Sequence, residues 1–302
     1  MNNDILLEAG TGEVELLEFK VGNRHYAINV IKVKEILEVA ADSITKVPQS
    51  NKSIAGLLLC RNEVISVIDL KYVLENQYIS SDKFMVIMCE FNKLKIAFSV
   101  DEVVGIHRIK WEEILKPQEI TINSFVIGNV ILKEKIMLLL DFEKIVTDIS
   151  PNTGISENRI VDVDYKDRAN NKLVLADDSP LIRKLLKDTL TKAGFNNLKI
   201  FDDGKQALNY IQGVYEAKGK DFVQDVNVLI TDIEMPVMDG FTLTRRVKEH
   251  AILRTLPVVI FSSLITDDLK HKGISVGADG QLSKPEIGEL VDMIDKLLSK
   301  NN

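Results

Sequence analysis

The pattern of hydrophobic and polar positions changes near residue 150. Before that point, short β-branched and aromatic runs alternate with turn residues, which is typical of strands. Strands are predicted at residues 16–21, 25–30, 64–70, 84–90, 95–100, 126–132 and 135–141. Helices are predicted only at residues 31–38, 71–75 and 142–147. The first half is therefore expected to be an all-β domain.

From about residue 172 the pattern alternates between apolar strands and amphipathic helices. Strands are predicted at residues 172–176, 198–201, 226–231, 256–262 and 280–283. Helices are predicted at residues 180–193, from 204, and at 240–249, 267–276 and 286–298, with Ser179 as the first N-cap. Five successive β–α units predict a parallel sheet with helices on both faces, an α/β fold of the flavodoxin-like (βα)5 type.

The length of 302 residues suits two domains. Residues 1–13 are expected to be a flexible N-terminus, residues 14–150 the first domain and residues 172–302 the second. Residues 151–171 are polar, contain Pro, Gly and Asn, and lack an amphipathic period, which indicates a linker. Residues 213–225 are expected to be a solvated loop or a helix extension.

The composition indicates a soluble globular protein, with 45% apolar and 27% charged residues. No apolar run is long enough for a transmembrane helix, and the acidic N-terminus does not resemble a secretory signal, so cytoplasm is the expected compartment. The net charge of −7 and the lack of a basic cluster argue against a DNA-binding output. Cys60 and Cys89 are expected to be buried small hydrophobic residues in strands.

Polar side chains stand where the predicted strands of the second half end. Asp177 and Asp178 follow the first strand, Asp232 follows the third, Ser262 ends the fourth, and Lys284 follows the fifth. The carboxyl ends of parallel strands meet at one edge of a sheet, so these side chains should converge there. Three neighbouring carboxylates are costly without a cation, and hard oxygen ligands favour Mg²⁺.

This chemistry points to phosphoryl transfer onto a carboxylate. Asp232 is predicted to be the nucleophile because it follows the central strand. Lys284 would pair with the transferred group, and Ser262 would donate a hydrogen bond to it. The alternative is structural, since Asp177 and Asp178 together can cap a helix and Asp239-Gly240 is a common turn.

The second half resembles the receiver domain of two-component response regulators, in particular CheY, through the motifs LVLADDS, LITDIEMPVMDG, VVIFSS and LSKP. The resemblance implies that Asp177, Asp178, Asp232 and the backbone carbonyl of Glu234 hold Mg²⁺. It implies that Asp232 is a phosphoacceptor that catalyses its own phosphorylation from a phosphohistidine, rather than an enzyme with turnover. Ser262 and Lys284 would sense the phosphoryl group. Gln281 departs from the family, which has Tyr or Phe three residues before the lysine.

The first half carries no recognisable catalytic arrangement. His25 and His107 have no partners at ligand spacing and are predicted to be surface or strand histidines, and there is no glycine-rich phosphate loop. A β-rich domain without such a cluster is better interpreted as a protein-binding module.

The first half resembles the CheW-like coupling domain, which consists of two five-stranded barrels. Four stretches carry the resemblance: FKVGNRHYAINVIKVKEIL, ITKVPQSNKSIAGLLLCRNEVISVIDL, IAFSVDEVVGIHRI and SFVIGNVILKEKIMLLLDFEKIV. The resemblance implies that the first stretch forms a hairpin followed by a short helix. It implies that Arg61, Val33, Glu35 and Gly56 contact receptor tips or the kinase. The alternatives are an exposed turn cation for Arg61 and a core residue for Val33.

The combination of the two domains resembles the CheV family. This resemblance implies a chemotaxis adaptor, located at chemoreceptor arrays, that couples receptors to a histidine kinase and is regulated by phosphorylation of Asp232 in adaptation. A second hypothesis is a phosphate sink that drains phosphoryl groups from the kinase. A transcriptional regulator is disfavoured because no basic helix-turn-helix is present.

Overall fold

The computed structural model describes residues 12–91, 94–116, 125–133, 135–150, 163–263, 267–284 and 287–300. The chain divides into two compact units, the first comprising Val14–Ile109 and Glu113–Gly154, and the second containing Ile155–Asn302. Among the helices of these described residues, none is long and apolar enough to cross a membrane.

The first unit is rich in strands. Its strands are β1 (Glu13–Val21), β2 (Arg24–Asn29), β3 (Val33–Ala40), β4 (Ile44–Thr45), β5 (Ile54–Cys60), β6 (Glu63–Asp69), β7 (Lys83–Phe91), β8 (Leu94–Val100), β9 (Glu102–Lys110), β10 (Val126–Leu132) and β11 (Lys135–Leu140). Its α-helices are α1 (Leu70–Glu75) and α2 (Phe142–Ile149), capped by Asp69 and Asp141. The strands and short helices confirm the expected all-β class.

The first unit is an internal repeat whose halves exchange strands. One sheet has the order β10-β11-β2-β1-β9, and the other has the order β3-β7-β8-β6-β5-β4. The first half of the unit contains β1 to β6, and the second half contains β7 to β11. The first sheet joins β1 and β2 to β9, β10 and β11, and the second sheet joins β7 and β8 to β3, β4, β5 and β6. The joins are equivalent, since β11 runs parallel to β2 and β6 runs parallel to β8. The second sheet has six strands because of the two-residue β4, whereas Leu115 and Asn129 form a single isolated bridge beside β10.

The prediction of a helix at residues 31–38 is wrong. The structure has one short 3-10 turn, Val30–Lys32, followed by β3, which pairs antiparallel with β7. Val33, Ile36 and Leu37 have helical spacing, but in the structure exposure alternates along the strand. Strand pairing with β7 therefore overrides the local pattern. The strands β4, β5 and β9 were also absent from the predicted set.

Aromatic residues fill the core of the first unit. Phe19 on β1, Phe98 on β8 and Phe142 on α2 are fully buried, and the ring of Phe142 lies edge-on to both of the others. Residues from both sheets contribute to this cluster. Burial of such large apolar surfaces is the main stabilising contribution to this unit. Cys60 and Cys89 are both free; Cys89 is buried as predicted, whereas the predicted burial of Cys60 is wrong, because Cys60 ends β5 beside the turn and is only partly buried.

The second unit has the predicted alternation of strands and helices. The strands are β12 (Lys172–Ala176), β13 (Asn197–Phe201), β14 (Val228–Thr231), β15 (Val258–Ser262) and β16 (Gly280–Ser283). The helices are α3 (Pro180–Lys192), α4 (Gly204–Lys218), α5 (Gly240–Glu249), α6 (Asp267–Ser275) and α7 (Ile287–Lys300). Ser179 caps α3, with Pro180 as the first helical residue, as predicted.

The five strands form a parallel sheet in the order β13-β12-β14-β15-β16. Alternate residues of β12 point to opposite faces: Leu173 and Leu175 pack with α3 and α7, whereas Val174 and Ala176 pack with α4 and α5. This is the expected α/β arrangement, and it places the carboxyl ends of the strands along one edge.

The segment at residues 213–225 is a helix extension, one of its two predicted alternatives. Helix α4 continues to Lys218 and is followed by a 3-10 helix, Gly219–Gln224. Phe222 is completely buried in the α4–α5 core. Asp225 accepts hydrogen bonds from Lys172 and Lys218, which hold the end of the extension against β12.

Candidate functional site

The predicted acidic residues converge at the carboxyl edge of the second sheet. Carboxylate oxygens of Asp177, Asp178 and Asp232 all lie within 4.8 Å of one another. The strand ladder continues into this site, because the amide of Asp232 donates to the carbonyl of Ala176 at 2.9 Å. The prediction that the strand ends bring these three side chains together is confirmed.

Lys284 supplies the positive charge of the cluster. Its Nζ lies 2.6 Å from Oδ2 of Asp232 and 3.1 Å from Oδ2 of Asp177. Lys284, Asp177 and Asp232 are each about 95% buried or more. A desolvated ammonium between two carboxylates fixes the side chains in place, since breaking such an arrangement leaves an uncompensated buried charge.

Both carboxylate oxygens of Asp177 have partners. Its Oδ1 accepts a hydrogen bond from the Ser179 amide at 2.9 Å, and its buried Oδ2 is ion-paired with Lys284 at 3.1 Å. The pKa of Asp177 is raised to about 7, chiefly by burial; Lys284 lowers the pKa, and the charge of Asp232 raises it. A cluster of three carboxylates fits a hard divalent cation with oxygen ligands.

Ser262 ends β15 and is buried beside this cluster. Its carbonyl accepts a hydrogen bond from the Lys284 amide at 3.1 Å, which holds the start of the β16–α7 connection against β15. The predicted roles of its hydroxyl and of the Glu234 backbone carbonyl stay predictions.

The connection from β14 to α5 is shaped by a glycine. A Cβ on Gly240 would lie 1.8 Å from the carbonyl oxygen of Asp232, so only glycine allows the helix to start this close to the site. Asp239 caps α5 through the Thr242 amide at 2.9 Å, and burial raises the pKa of Asp239. Gly240 thus sets the backbone position of Asp232.

The contacts of two polar side chains near the site were not predicted from the sequence. Arg183 on α3 donates from Nη1 to the carbonyl of Asp177 at 2.7 Å. Gln281, at the position where receivers have an aromatic residue, donates from Nε2 to the carbonyl of Lys270 on α6 at 2.8 Å. The position of Arg183 in the first turn of a predicted helix, five residues after Asp178, could have indicated that it lies near the site. The helical pattern alone does not predict which group its side chain contacts.

A second polar cluster lies in the first unit around Glu18, whose side chain is completely buried. Its carboxylate contacts Nδ1 of His25, Nε2 of His107 at 2.6 Å and Nζ of Lys135 at 2.5 Å. His25 in β2 and His107 in β9 are strand histidines, as predicted, and their shared partner Glu18 is a contact that the sequence spacing did not indicate. Burial alone would raise the pKa of Glu18, but hydrogen bonds from Lys135, His107 and His25 outweigh it and lower the pKa to about 2.

The residues predicted to contact partners lie near the β5–β6 hairpin. Nη2 of Arg61, in the turn, lies 2.5 Å from Oε1 of Glu35 on β3, and the Arg61 side chain is 78% exposed. On the same hairpin, Leu59 and Val64 face each other across the strands and are 70% and 67% exposed.

Gly56 has a structural requirement. Its φ is +150°, and a Cβ there would lie 2.5 Å from the carbonyl oxygen of Thr45. The structure therefore explains this glycine by the close approach of β4 to β5. Val33 is half-buried at the start of β3, where it packs against the aromatic core of the first unit.

Comparisons with known proteins agree with the two units. Residues 15–150 match the CheW-like domain, and residues 173–295 match the response regulator receiver domain. Chemotaxis protein CheV3 of Helicobacter pylori is 28% identical over 99% of this chain and 98% of its own length. Chemotaxis protein CheV2 of the same organism is 27% identical over 91% of this chain and 90% of its own length.

Among solved structures, the scaffolding protein TtCheW from Thermoanaerobacter tengcongensis is 25% identical, with a TM-score of 0.40. The match covers 43% of this chain and 89% of that chain.

Proposed function

We propose that this chain, which combines a CheW-like domain with a response regulator receiver domain and is similar to CheV chemotaxis proteins over nearly its whole length, couples chemoreceptors to a histidine kinase and is regulated by phosphorylation of Asp232. We assign the coupling to residues 14–150 and the phosphorylation to residues 172–302. The observation that carries the proposal is the contact of Lys284 with Asp232 beside Asp177 and Asp178.

In the proposed reaction a carboxylate oxygen of Asp232 attacks the phosphorus of a phosphohistidine on the kinase. The P–N bond breaks, its electron pair returns to the imidazole, and an aspartyl phosphate forms. The Lys284 ammonium, already 2.6 Å from Asp232, balances the charge that the phosphoryl oxygens bring. The Ser262 hydroxyl, at the neighbouring strand end, donates to the same group. The receiver is modified in this step and does not turn over.

Asp177, Asp178, Asp232 and the backbone carbonyl of Glu234 are the proposed ligands of Mg²⁺. When bound, the ion neutralises charge on the phosphoryl group during transfer. The grouping of the three carboxylates supports this assignment, because their oxygens lie within 4.8 Å of one another and hard oxygen donors are the ligands that Mg²⁺ prefers. The protein's own contribution is to hold the three carboxylates within 4.8 Å of one another.

The coupling surface is proposed at the β5–β6 hairpin and the start of β3. Arg61 and Glu35 form an exposed ion pair there, and the aliphatic side chains of Leu59 and Val64 stand beside it in solvent. Exposed apolar residues next to a charged pair are typical of a protein-binding surface. Docking of this surface onto receptor tips and kinase would place the protein at chemoreceptor arrays.

Phosphorylation would act on this coupling through the charge and conformation of the receiver. The test of the site is incubation of the full chain with Mg²⁺ and acetyl phosphate, followed by intact-mass analysis. The expected result is the addition of one phosphoryl group, lost in Asp232→Asn and without Mg²⁺. An unmodified mass for the wild type under these conditions contradicts the proposal.

The role in adaptation needs a separate measurement. Kinase output from reconstituted arrays is compared between wild type and Asp232→Ala at equal phosphate flux. A difference in receptor coupling supports regulation of the adaptor. A change only in the rate at which kinase phosphate is consumed would instead identify a phosphate sink.

A further inference from the structure

Residues 163–171, which we call the strap, pack against the receiver although their composition predicts a linker. Val163 joins the apolar core formed by α3 and α7. The Lys166 amide donates to the carbonyl of Ala193 at the end of α3, at 3.3 Å. The Asn197 side chain donates to the carbonyl of Ala169. The strap is therefore attached to the receiver by apolar contacts and by hydrogen bonds along its length.

Arg168 is the anchor of the strap. Its guanidinium donates from Nε and Nη2 to the two carboxylate oxygens of Asp295 on α7, at 2.8 Å and 2.7 Å. Its Nη1 donates to the carbonyl of Ala193, and its plane lies over the ring of Phe195 at 5.1 Å. Only 5% of Arg168 is exposed. A bidentate, desolvated arginine of this kind has a strict geometry, which lysine does not reproduce.

Gly194 shows how closely the strap approaches the receiver. Its φ is +103°, and a Cβ there would lie 1.9 Å from the carbonyl oxygen of Lys166. The end of α3 is thus shaped to accept the strap backbone. This close fit indicates that the strap binds the receiver specifically and is not a linker that lies there by chance.

Helix α7 connects the strap to the phosphorylation site. It begins at Ile287, three residues after Lys284, and it carries Asp295 about two turns further along. Its buried residues Ile287, Leu290 and Ile294 pack into one core, so the helix can transmit a displacement of its first turn as a unit. Lys284 thus stands three residues before this helix in the chain, and Arg168 contacts the helix at Asp295.

We propose that docking of the strap is coupled to the phosphorylation state of the receiver, and that aspartyl phosphate weakens it. This inference rests on the proposed phosphorylation of Asp232. In the present geometry Lys284 contacts Asp232 directly, and Arg168 uses Nε, Nη1 and Nη2 at once. A phosphoryl group on Asp232 moves the negative charge outward, and Lys284 follows it. The start of α7 then shifts, and Asp295 no longer meets Arg168 in the bidentate geometry.

Release of the strap changes the connection between the two domains. Nine further residues would join the connecting segment, which adds an extended reach of about 30 Å at roughly 3.3–3.6 Å per residue. Because thermodynamic coupling is reciprocal, a docked strap must also disfavour the phosphorylated state. A variant with a broken anchor is therefore expected to accept a phosphoryl analogue more readily than wild type.

The first test is hydrogen–deuterium exchange on the full chain with Mg²⁺, with and without beryllofluoride as the phosphoryl analogue. The expected result is protection of peptides around Asp232 and faster exchange of the peptide covering residues 163–171. Protection around Asp232 with unchanged exchange in the strap overturns the inference and leaves the proposed function standing. No response in either region overturns both.

The second test measures beryllofluoride affinity in strap variants. Arg168→Ala is expected to bind the analogue about 5-fold to 150-fold more tightly, the usual range of coupling between sites. The affinity of Arg168→Lys for the analogue should fall between those of Arg168→Ala and wild type. Lysine keeps the positive charge but cannot make the bidentate contact with Asp295. Lys199→Ala removes one exposed cation from β13 and should leave the affinity unchanged.

If Arg168→Ala does not fold, Asp295→Asn serves in its place, since it keeps the shape of the acceptor and removes the charge. Thermal unfolding of each variant identifies those that are folded. Equal affinities in wild type and in a folded anchor variant overturn the inference.

Discussion

Lys284 donates a hydrogen bond of 2.6 Å from its ammonium to Oδ2 of Asp232, although 52 positions separate the two residues in the sequence. Both side chains are almost completely buried. Water cannot replace either charged partner at such a buried position. The contact therefore determines both the stability of the site and its response to added negative charge.

Replacing Lys284 with Met is expected to destabilise the receiver. Asp177 and Asp232 would then be buried together without a counter-charge, and the free energy of unfolding at pH 8 should fall by about 3 kcal/mol. Millimolar Mg²⁺ should restore part of this loss. Chemical denaturation with and without Mg²⁺ measures both effects. Lys199→Met, at an exposed position, is the control, and a Lys284→Met protein as stable as that control contradicts the prediction.

Gly240→Ala is expected to disrupt the site through the backbone. The new Cβ would meet the carbonyl oxygen of Asp232 at 1.8 Å, so α5 must move away. The expected cost is about 3 kcal/mol of unfolding free energy, with loss of acetyl phosphate labelling. Gly213→Ala is the matched control, because its Cβ meets nothing within 4 Å in the middle of α4. The control should instead gain about 0.5–1 kcal/mol. Equal effects of the two substitutions would refute the steric explanation.

Glu18→Gln is expected to destabilise the first domain in a pH-dependent manner. The pKa of Glu18 is lowered from 4.5 to about 2, so the ionised carboxylate stabilises the folded state above pH 4.5. This stabilisation amounts to about 3 kcal/mol and disappears as the pH falls from 4.5 towards 2. Unfolding free energies of wild type and variant should therefore differ at pH 7 and converge at low pH. Glu102→Gln, which breaks an exposed pair with Lys20, should show little difference at either pH.

Arg61→Ala is expected to affect binding without affecting stability. Its contact with Glu35 is exposed, and such pairs contribute less than about 1 kcal/mol. Thermal unfolding should be unchanged, whereas binding to receptor tips or to the kinase should weaken. Lys83→Ala removes another exposed ion pair, with Glu38 at 3.6 Å, and is the control. Unchanged binding in Arg61→Ala would exclude this turn from the coupling surface.

The acidic site could be predicted from the sequence because its geometry follows from a simple rule. Parallel strands end at one edge, so residues directly after the strands must meet, whatever their separation in the chain. Asp177, Asp178, Asp232 and Lys284 all obey this rule, and Ser262 ends a strand at the same edge.

The polar cluster of the first domain could not be predicted in this way. Glu18, His25, His107 and Lys135 come from four strands whose neighbours are set by the exchange between the two halves. Local periodicity contains no information about which half completes a sheet. The strand β3 was missed for the same reason, because its pairing with β7 rather than its own pattern determines its conformation.

The strap shows a third limit. Arg168 stands in a polar segment without periodicity, and composition averages over the segment hide a single buried side chain. Its partner Asp295 lies 127 positions away, and neither residue belongs to a motif.

The exchange of strands in the first domain has a consequence for its synthesis. A ribosome that has delivered β1 and β2 has delivered only part of a sheet, because β10 and β11 must emerge before that sheet is complete. The nascent chain therefore exposes strand edges until translation has passed Leu140. Neither half is expected to fold when it is expressed as a separate fragment, whereas the two fragments expressed together should reassemble.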